Sequence, residues 1–364
     1  MIKLDCYMGV ESKQVWGINR YKLETFKNIT DDRFDKRKIS YALPEKPKLL
    51  KRLANFFDLF TYSPAATSRH MRKDAIALIM SHSEAYLLNY FKFKKSIVLC
   101  YDLLPLQFKL SGWMSRAKLN FAFRGMLKAN RIIAVSESVK DDIVNYLGYP
   151  SERIDVIYGG VDPLRYKPQK GTFDNLKKKY GIPEEKKVVL FLGSEEHRKN
   201  FHVVLRAFAH LKLRFSDVVL LKVGNAGKSG LRERNMRLIH RLGISRDVIF
   251  TGYVPEEDTP KLYNLAEVFP FPTLYEGAIS LPVIEAMACG CPVISTKYVD
   301  ETIGDSPAMM KNATDYLELE QMMYDVMTDN SFRDKIIRHG LQESKRFYWS
   351  RTGKMVEDAL WKLL

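Results

Sequence analysis

Residues 269–295 constrain this chain more than any other stretch: Phe269-Pro270-Phe271-Pro272-Thr273-Leu274-Tyr275-Glu276-Gly277-Ala278-Ile279-Ser280-Leu281-Pro282-Val283-Ile284-Glu285-Ala286-Met287-Ala288-Cys289-Gly290-Cys291-Pro292-Val293-Ile294-Ser295. A short apolar strand ends in an acid and a glycine, and a turn follows. A helix begins near Leu281-Pro282, an opening position where proline's missing N–H costs nothing. Gly290 stops that helix, and Pro292-Val293-Ile294 starts another strand. A strand–turn–helix–strand unit aims free backbone N–H groups at whatever lies above the strand ends, where an anion is best received. Glu276 sits at that turn, and Glu285 lies one to two turns into the helix.

The same alternation runs through the rest of the chain. Lys3 to Met8 carries an acid inside a short apolar run and reads as a first strand, not a signal peptide. Lys38 to Leu43 reads as a second strand. Ala75 to Met80 and Ser96 to Tyr101 read as buried parallel strands. They end in Ser81-His82-Ser83 and Tyr101-Asp102, and polar groups at such ends face a ligand crevice. His82 reads equally as a satisfied structural histidine. Arg131 to Ser136 is a further strand, followed by a helix for which Ser138 is the expected cap, with Asp141 three residues on. Lys187 to Gly193 restarts the rhythm after a polar, lysine-rich stretch bounded by prolines. The expectation is an α/β protein of two Rossmann-like, doubly wound domains, 1–165 and 187–347, facing each other across a cleft. A linker, 166–186, would join them. Helices would close the chain, the last (348–364) crossing back to the first domain.

At 364 residues the chain exceeds one typical domain. Its net charge of +15 is lopsided: residues 1–170 hold 30 Lys and Arg against 17 Asp and Glu, a net +13 that leaves +2 for the rest. That suggests an anionic partner for the first half: a membrane surface, an acidic lipid or polymer, or nucleic acid. Generic lysine-rich composition explains it too. Lys46 to Tyr62 and residues 111–130 read as basic, aromatic, amphipathic segments, open to packing on the sheet or, for the first, to contacting a membrane. No uncharged apolar run is long enough for a transmembrane helix. Cys6, Cys100, Cys289 and Cys291 fit a reduced, intracellular protein, and Cys289-x-Cys291 fits core packing better than zinc.

Gly193-Ser194-Glu195-Glu196-His197-Arg198-Lys199-Asn200 opens the first helix of the second half. Adjacent cations beside a helix N-terminus suit a diphosphate; the same residues also fit a solvated turn. The chain has no Gly-x-Gly-x-x-Gly, no Gly-x-x-x-x-Gly-Lys-Ser/Thr, no Asp-x-Asp and no His/Cys/Asp cluster at metal-ligand spacing. These absences disfavour an NAD enzyme, a P-loop NTPase and a metal-bridged nucleotide site.

Over nearly its whole length the chain resembles a glycosyltransferase of family 4, with GT-B fold. The resemblance rests on four stretches: Arg131 to Ser138 with Val156 to Asp162; Gly193 to Asn200; Thr251-Gly252-Tyr253-Val254-Pro255-Glu256-Glu257-Asp258; and the two-glutamate stretch from Tyr275 to Gly290. The resemblance implies a retaining, metal-independent transfer of a hexose, mannose being a first choice, from a nucleotide diphosphate sugar to a lipid-linked or surface glycan. No cofactor, metal or nucleic acid is expected, and the site is cytoplasmic, peripheral on an anionic membrane face. By the same resemblance Glu276 contacts the donor sugar and Glu285 the ribose. Arg198 and Lys199, with Gly193 and Ser194 of their loop and Gly277, Ala278, Ile279, Ser280 and Leu281 of the turn, hold the diphosphate. Tyr253 and Val254 lie near the base. Eight residues separate Glu276 from Glu285, one more than the family usually has. Ser194 stands where many members have arginine. Tyr101-Asp102 stands where they often have His-Asp, so Tyr101 or His82 is expected to serve there. Two other functions are compatible: a GT-B sugar-nucleotide epimerase or hydrolase, and a non-enzymatic basic anion-binding protein.

Overall fold

The computed structural model describes residues 1–11, 17–42, 62–103, 113–227, 230–277 and 279–364. The phenylalanine-rich segment lies almost wholly in 43–61, outside the described residues, as does Ala278. The chain divides into two compact units, Met1–Gly159 with Trp349–Leu364, and Gly160–Tyr348. Among the described residues no helix is long and apolar enough to cross a membrane.

The first unit is built on one parallel sheet. Strands β1 (Ile2–Val10), β2 (Phe34–Tyr41), β3 (Ile76–Ile79), β4 (Lys95–Cys100), β5 (Arg131–Ala134) and β6 (Ile154–Val156) lie in the order β2-β1-β3-β4-β5-β6. Parallel pairing needs crossovers that place helices over both faces, so central strands are apolar throughout. Ile97 to Cys100 and Ile132 to Ala134 are accordingly buried. Ile79 pairs with Val98, which brings the carboxyl ends of β3 and β4, and the polar residues that follow them, to one edge of the sheet.

Ser136, not Ser138, caps helix Glu137–Leu147: its Oγ accepts from Val139 N–H at 3.0 Å. The chain leaves β5 extended as far as Ser136, which places that hydroxyl over the first free amides. Helix Trp349–Trp361 packs on helix Gly17–Asn28. The contact is close, since a Cβ on Gly353 would fall 1.9 Å from Asn28 O. Glu357 Oε1 accepts the Thr30 and Asp31 amides at 2.5 and 2.8 Å.

The second unit holds β7 (Lys187–Leu192), β8 (Val218–Val223) and β9 (Val248–Gly252) in one parallel sheet. A second comprises β10 (Phe269–Phe271), β11 (Val293–Thr296) and β12 (Met309–Met310). A parallel bridge between Val189 and Val268, with Leu190 N–H donating to Val268 O at 3.0 Å, joins the two. Val189, Phe191, Val204, Phe208 and Leu220 form the centre of its core. The stretch expected as a linker carries a helix, Asp174–Tyr180, and belongs to this unit. Leu176 is buried, Lys179 Nζ reaches Asp258 at 2.6 Å, and Gln169 N–H reaches Asn264 Oδ1 at 2.7 Å. Lysines on its outer side conceal that apolar anchor in the sequence.

Candidate functional site

The site of the second unit forms where the loop after β7 meets the loop after β10. Residues 193–200 leave β7 and reach helix Phe201–Arg214 through a short 3-10 turn, His197–Lys199. Asn200 ends that turn at φ 57, the sole non-glycine positive φ among the described residues. Asparagine tolerates this region better than most side chains. Its Nδ2 donates to Pro272 O at 3.1 Å and Ala313 O at 2.6 Å. Arg198 O accepts Leu274 N–H at 2.8 Å and Thr273 Oγ1 at 3.1 Å. The cationic loop is therefore stitched to the strand end that delivers Glu276.

The side chains follow the backbone. Lys199 Nζ lies 2.6 Å from Glu276 Oε2, and Arg198 Nη1 bonds the other oxygen. Arg198 Nε also reaches Glu196 at 3.1 Å. Lys199 sits 4.3 Å above the Phe271 ring. Burial lowers the Lys199 ammonium below its usual range, and Glu276 offsets that only in part. Burial also opposes the charge of Arg198, but Glu276 and Glu196 outweigh it and hold the guanidinium above its ordinary value.

Helix Leu281–Ala288 begins just beyond, its N-terminal amides and dipole directed toward the turn. Leu281 is its first residue, Ser280 is the N-cap, and Gly277 and Ile279 are buried in the turn. Ser280 N–H donates to Thr302 Oγ1 at 3.2 Å, while Ser280 Oγ is buried with no hydrogen-bond partner among the described residues. Glu285 is buried further along the helix and accepts from Tyr263 OH at 3.3 Å. At the neighbouring strand ends Gly193 N–H donates to Val223 O at 3.0 Å, and Gly224 N–H to Gly252 O at 2.7 Å. Tyr253 is exposed after β9, Val254 is buried, and Ser194 is half-buried.

His82, Tyr101 and Asp102 belong to the first unit. Tyr101 N–H donates to His82 Nδ1 at 3.3 Å, and the Tyr101 hydroxyl donates to Met80 O at 2.9 Å. Burial holds the His82 imidazole below its usual range, partly opposed by Asp102. Tyr101 is buried, so its phenol acts on Met80 rather than at a surface.

Two polar clusters escaped the sequence reading. Lys22 Nζ donates to Met8 O at 2.8 Å near buried Glu84, which accepts from Tyr41 OH at 3.2 Å. In the second unit, buried Lys222 and Glu195 join Arg232 and Asn235 beneath the 193–200 loop. Lys222 stands out in the apolar run of its strand, but the sequence does not reveal what either cluster binds, because the partners are carbonyls or residues far along the chain. Among the described residues no group of three or more His, Cys, Asp or Glu is placed to hold a metal ion. What the site offers chemically is two cations and a helix N-terminus directed at an anion.

Two α/β units on parallel sheets, with this site at the strand ends of the second, define a protein of GT-B fold. The chain belongs to the group 1 and family 4 glycosyltransferases: residues 172–341 match the profile described as Glycosyl transferases group 1, and residues 29–165 match Glycosyltransferase Family 4. The serotype-specific mannosyltransferase WbdA of Escherichia coli is 31% identical over 285 residues, covering 74% of this chain and 34% of that protein. The chain thus spans about a third of the length of that curated relative. The O-antigen chain mannosyltransferase B of Escherichia coli is 28% identical over 243 residues, 65% of this chain and 61% of that protein. The solved HepE protein of Anabaena, in complex with UDP-glucose, matches with a TM-score of 0.78 over 99% of this chain and 100% of its own, at 17% identity.

Proposed function

We propose that the second unit binds a nucleoside diphosphate sugar and that the protein moves its hexose, with retention and without a metal, to a glycan acceptor. The observation that carries this is the convergence of Arg198 and Lys199 on one carboxylate, Glu276, beside the N-terminus of helix Leu281–Ala288. In transfer, the bond from the anomeric carbon to the diphosphate oxygen breaks and the diphosphate keeps the electron pair. The acceptor hydroxyl oxygen bonds the same face, and its proton passes to the leaving diphosphate. Charge grows on the diphosphate, and prepositioned cations and amides stabilise it. Arg198 and Lys199 hold the diphosphate, Glu276 turns to the sugar, and Glu285 takes the ribose. Ser280 Oγ, buried and unpaired among the described residues, is a further polar group for the ligand. Tyr253 and Val254 border the base.

Mannose is the sugar to test first, because WbdA and the O-antigen chain enzyme are mannosyltransferases by name; glucose is second, since HepE was solved with UDP-glucose. The acceptor is a lipid-linked or surface glycan. The +13 excess in residues 1–170 supports docking on an anionic membrane face, at the cytoplasmic side. Thermal shift with UDP, GDP and their sugars, with and without EDTA, tests the donor site, because a ligand that binds only the folded chain raises its stability. A shift from one diphosphate, unchanged by EDTA, is expected; no shift from either overturns the reading. NMR of the product's anomeric proton tests retention. Flotation with anionic vesicles at low and high salt tests the membrane part, and no binding at low salt overturns it.

A further inference from the structure

Lys222 lies in β8 with no exposed surface, at a position where a central strand ordinarily carries an apolar residue. Its Nζ donates to Gly193 O at 2.8 Å, Gly224 O at 2.9 Å and Val223 O at 3.3 Å, and Glu195 Oε1 lies 3.8 Å away. Glu195 is equally buried; the same Oε1 accepts from Arg232 Nε at 2.5 Å, and its Oε2 accepts from Asn235 Nδ2 at 2.8 Å. A buried charge is costly unless paired and hydrogen-bonded, and this one is both.

The geometry shows what the ammonium holds. Gly193 follows β7 and opens the loop that ends in Arg198 and Lys199. Gly224 closes β8 at φ 103, and a Cβ there would fall 2.8 Å from Gly193 O. The two loop stems therefore touch backbone to backbone, and one ammonium binds the carbonyl of each. Two residues on, Glu195 is pinned by Arg232 and Asn235. At its far end the same loop is pinned through Arg198 O and Asn200. Three carbonyl oxygens and a carboxylate around a single positive atom make the oxygen-rich surroundings that a bound cation takes in other proteins. Here the chain supplies the cation covalently.

We propose that Lys222 is a positioning residue for the donor diphosphate: an internal cation that fixes the Gly193–Asn200 loop so that Arg198 and Lys199 meet the phosphates together. This rests on the donor-site reading above. Lys222 touches no ligand; it acts through the loop backbone. Misplacing paired cations by a fraction of an ångström weakens diphosphate binding and, because the same cations meet the charge that grows on the leaving group, lowers turnover as well.

The test uses the full chain with Lys222→Met, which keeps much of the volume without the charge, and Lys222→Ala, which opens a channel-shaped space of alkylammonium dimensions. Melting temperature, Kd for UDP and GDP, and donor KM and kcat are measured. Lys222→Met is expected to fold cooperatively, with Kd and donor KM raised on the order of tenfold and kcat lowered alongside them. Propylammonium chloride is expected to restore binding to Lys222→Ala, and sodium chloride at equal ionic strength is not. Unchanged Kd and KM in Lys222→Met, or a fall in kcat with KM intact, overturns the proposal, as does restoration by sodium chloride equal to that by propylammonium. If neither Lys222 variant folds, Glu195→Gln, whose amide oxygen can still accept from Arg232 while the charge facing Lys222 and the acceptor for Asn235 Nδ2 are lost, must raise KM; an unchanged KM overturns the proposal. Failure of the wild-type protein to bind either diphosphate would remove the donor-site reading itself. Equal binding by wild type and Lys222→Met removes only the role of Lys222.

Discussion

Lys199 Nζ and Glu276 Oε2 lie 2.6 Å apart, and each side chain is only 10% exposed. Arg198 takes the second oxygen of the same carboxylate. A single anion thus sits between two cations in the position from which they would receive a bridging diphosphate. Glu276, with Glu196 on Arg198, balances the two cations from within, and on the proposed reading a diphosphate takes the place of the Glu276 carboxylate.

That exchange predicts an asymmetric result for Glu276→Gln. The amide keeps the shape and loses the charge that competes with the ligand. The variant is expected to bind the nucleoside diphosphate about tenfold more tightly, equivalent to about 1.4 kcal/mol. Sugar transfer is expected to fall on the order of a hundredfold, because the sugar loses its carboxylate partner. Calorimetric titration and a transfer assay read the two effects separately. Weaker diphosphate binding in the variant would contradict the exchange.

Lys222 carries a pH prediction. Burial, only partly offset by Glu195, lowers its ammonium from 10.5 to about 8. Between those values the unfolded chain holds a proton that the folded chain has released, so stability rises with pH across the window. Below pH 8 the penalty is complete, about 3 kcal/mol from the shift alone. Buried thiols titrate in the same range with the opposite sign; burial pushes Cys6 up to about 12. The difference between wild type and Lys222→Met removes those contributions. Urea unfolding of both proteins is expected to show the wild type gaining on the variant from pH 8 toward 10.5. A flat or falling difference would contradict it.

The rhythm of strands and helices was legible because parallel strands must be apolar throughout and their crossovers must be helical. Pro282 and Gly290 bracketed a helix that the structure ends at Ala288. Arg198, Lys199 and Glu276 were legible singly as groups suited to a charged ligand. Their mutual ion pairs were not, because the partners are 78 and 77 residues apart and nothing local couples them. Lys222 interrupts the apolar run of β8, yet its role was not legible, because it bonds backbone carbonyls and its one acidic neighbour, Glu195, lies on another strand end. Ser136 and Ser138 are chemically equivalent as caps, and only the exit point of β5 chose between them. Leu176, the one buried residue of helix Asp174–Tyr180, is too little apolar pattern to announce a helix among lysines.

Gly353 tests the packing of the first unit. A methyl there would lie 1.9 Å from Asn28 O and 2.4 Å from Asn28 C, both backbone atoms that cannot swing aside. Gly353→Ala is expected to lose about 1–3 kcal/mol, as overpacking does. Lys354→Ala, one residue on and with its side chain 63% exposed, is expected to stay within about 0.5 kcal/mol of wild type. Urea denaturation of the two variants reads the contrast, and equal effects would show that the helices slide apart freely.

Ser280 separates a ligand contact from a structural one by sign. Its Oγ is buried and has no partner among the described residues, although the residue caps the helix that follows the glutamate turn. A hydroxyl with no partner in the folded chain contributes nothing to hold it, and removing one is neutral or stabilising by up to about 1 kcal/mol. If the same hydroxyl waits for a phosphate oxygen, removing it costs one hydrogen bond in the complex, again about 1 kcal/mol, or roughly fivefold in Kd. Ser280→Ala is therefore expected to melt at or above the wild-type temperature and to bind the nucleoside diphosphate more weakly. A variant that melts lower and binds as well as wild type would assign the serine to the fold and leave the phosphate to the amides, Arg198 and Lys199.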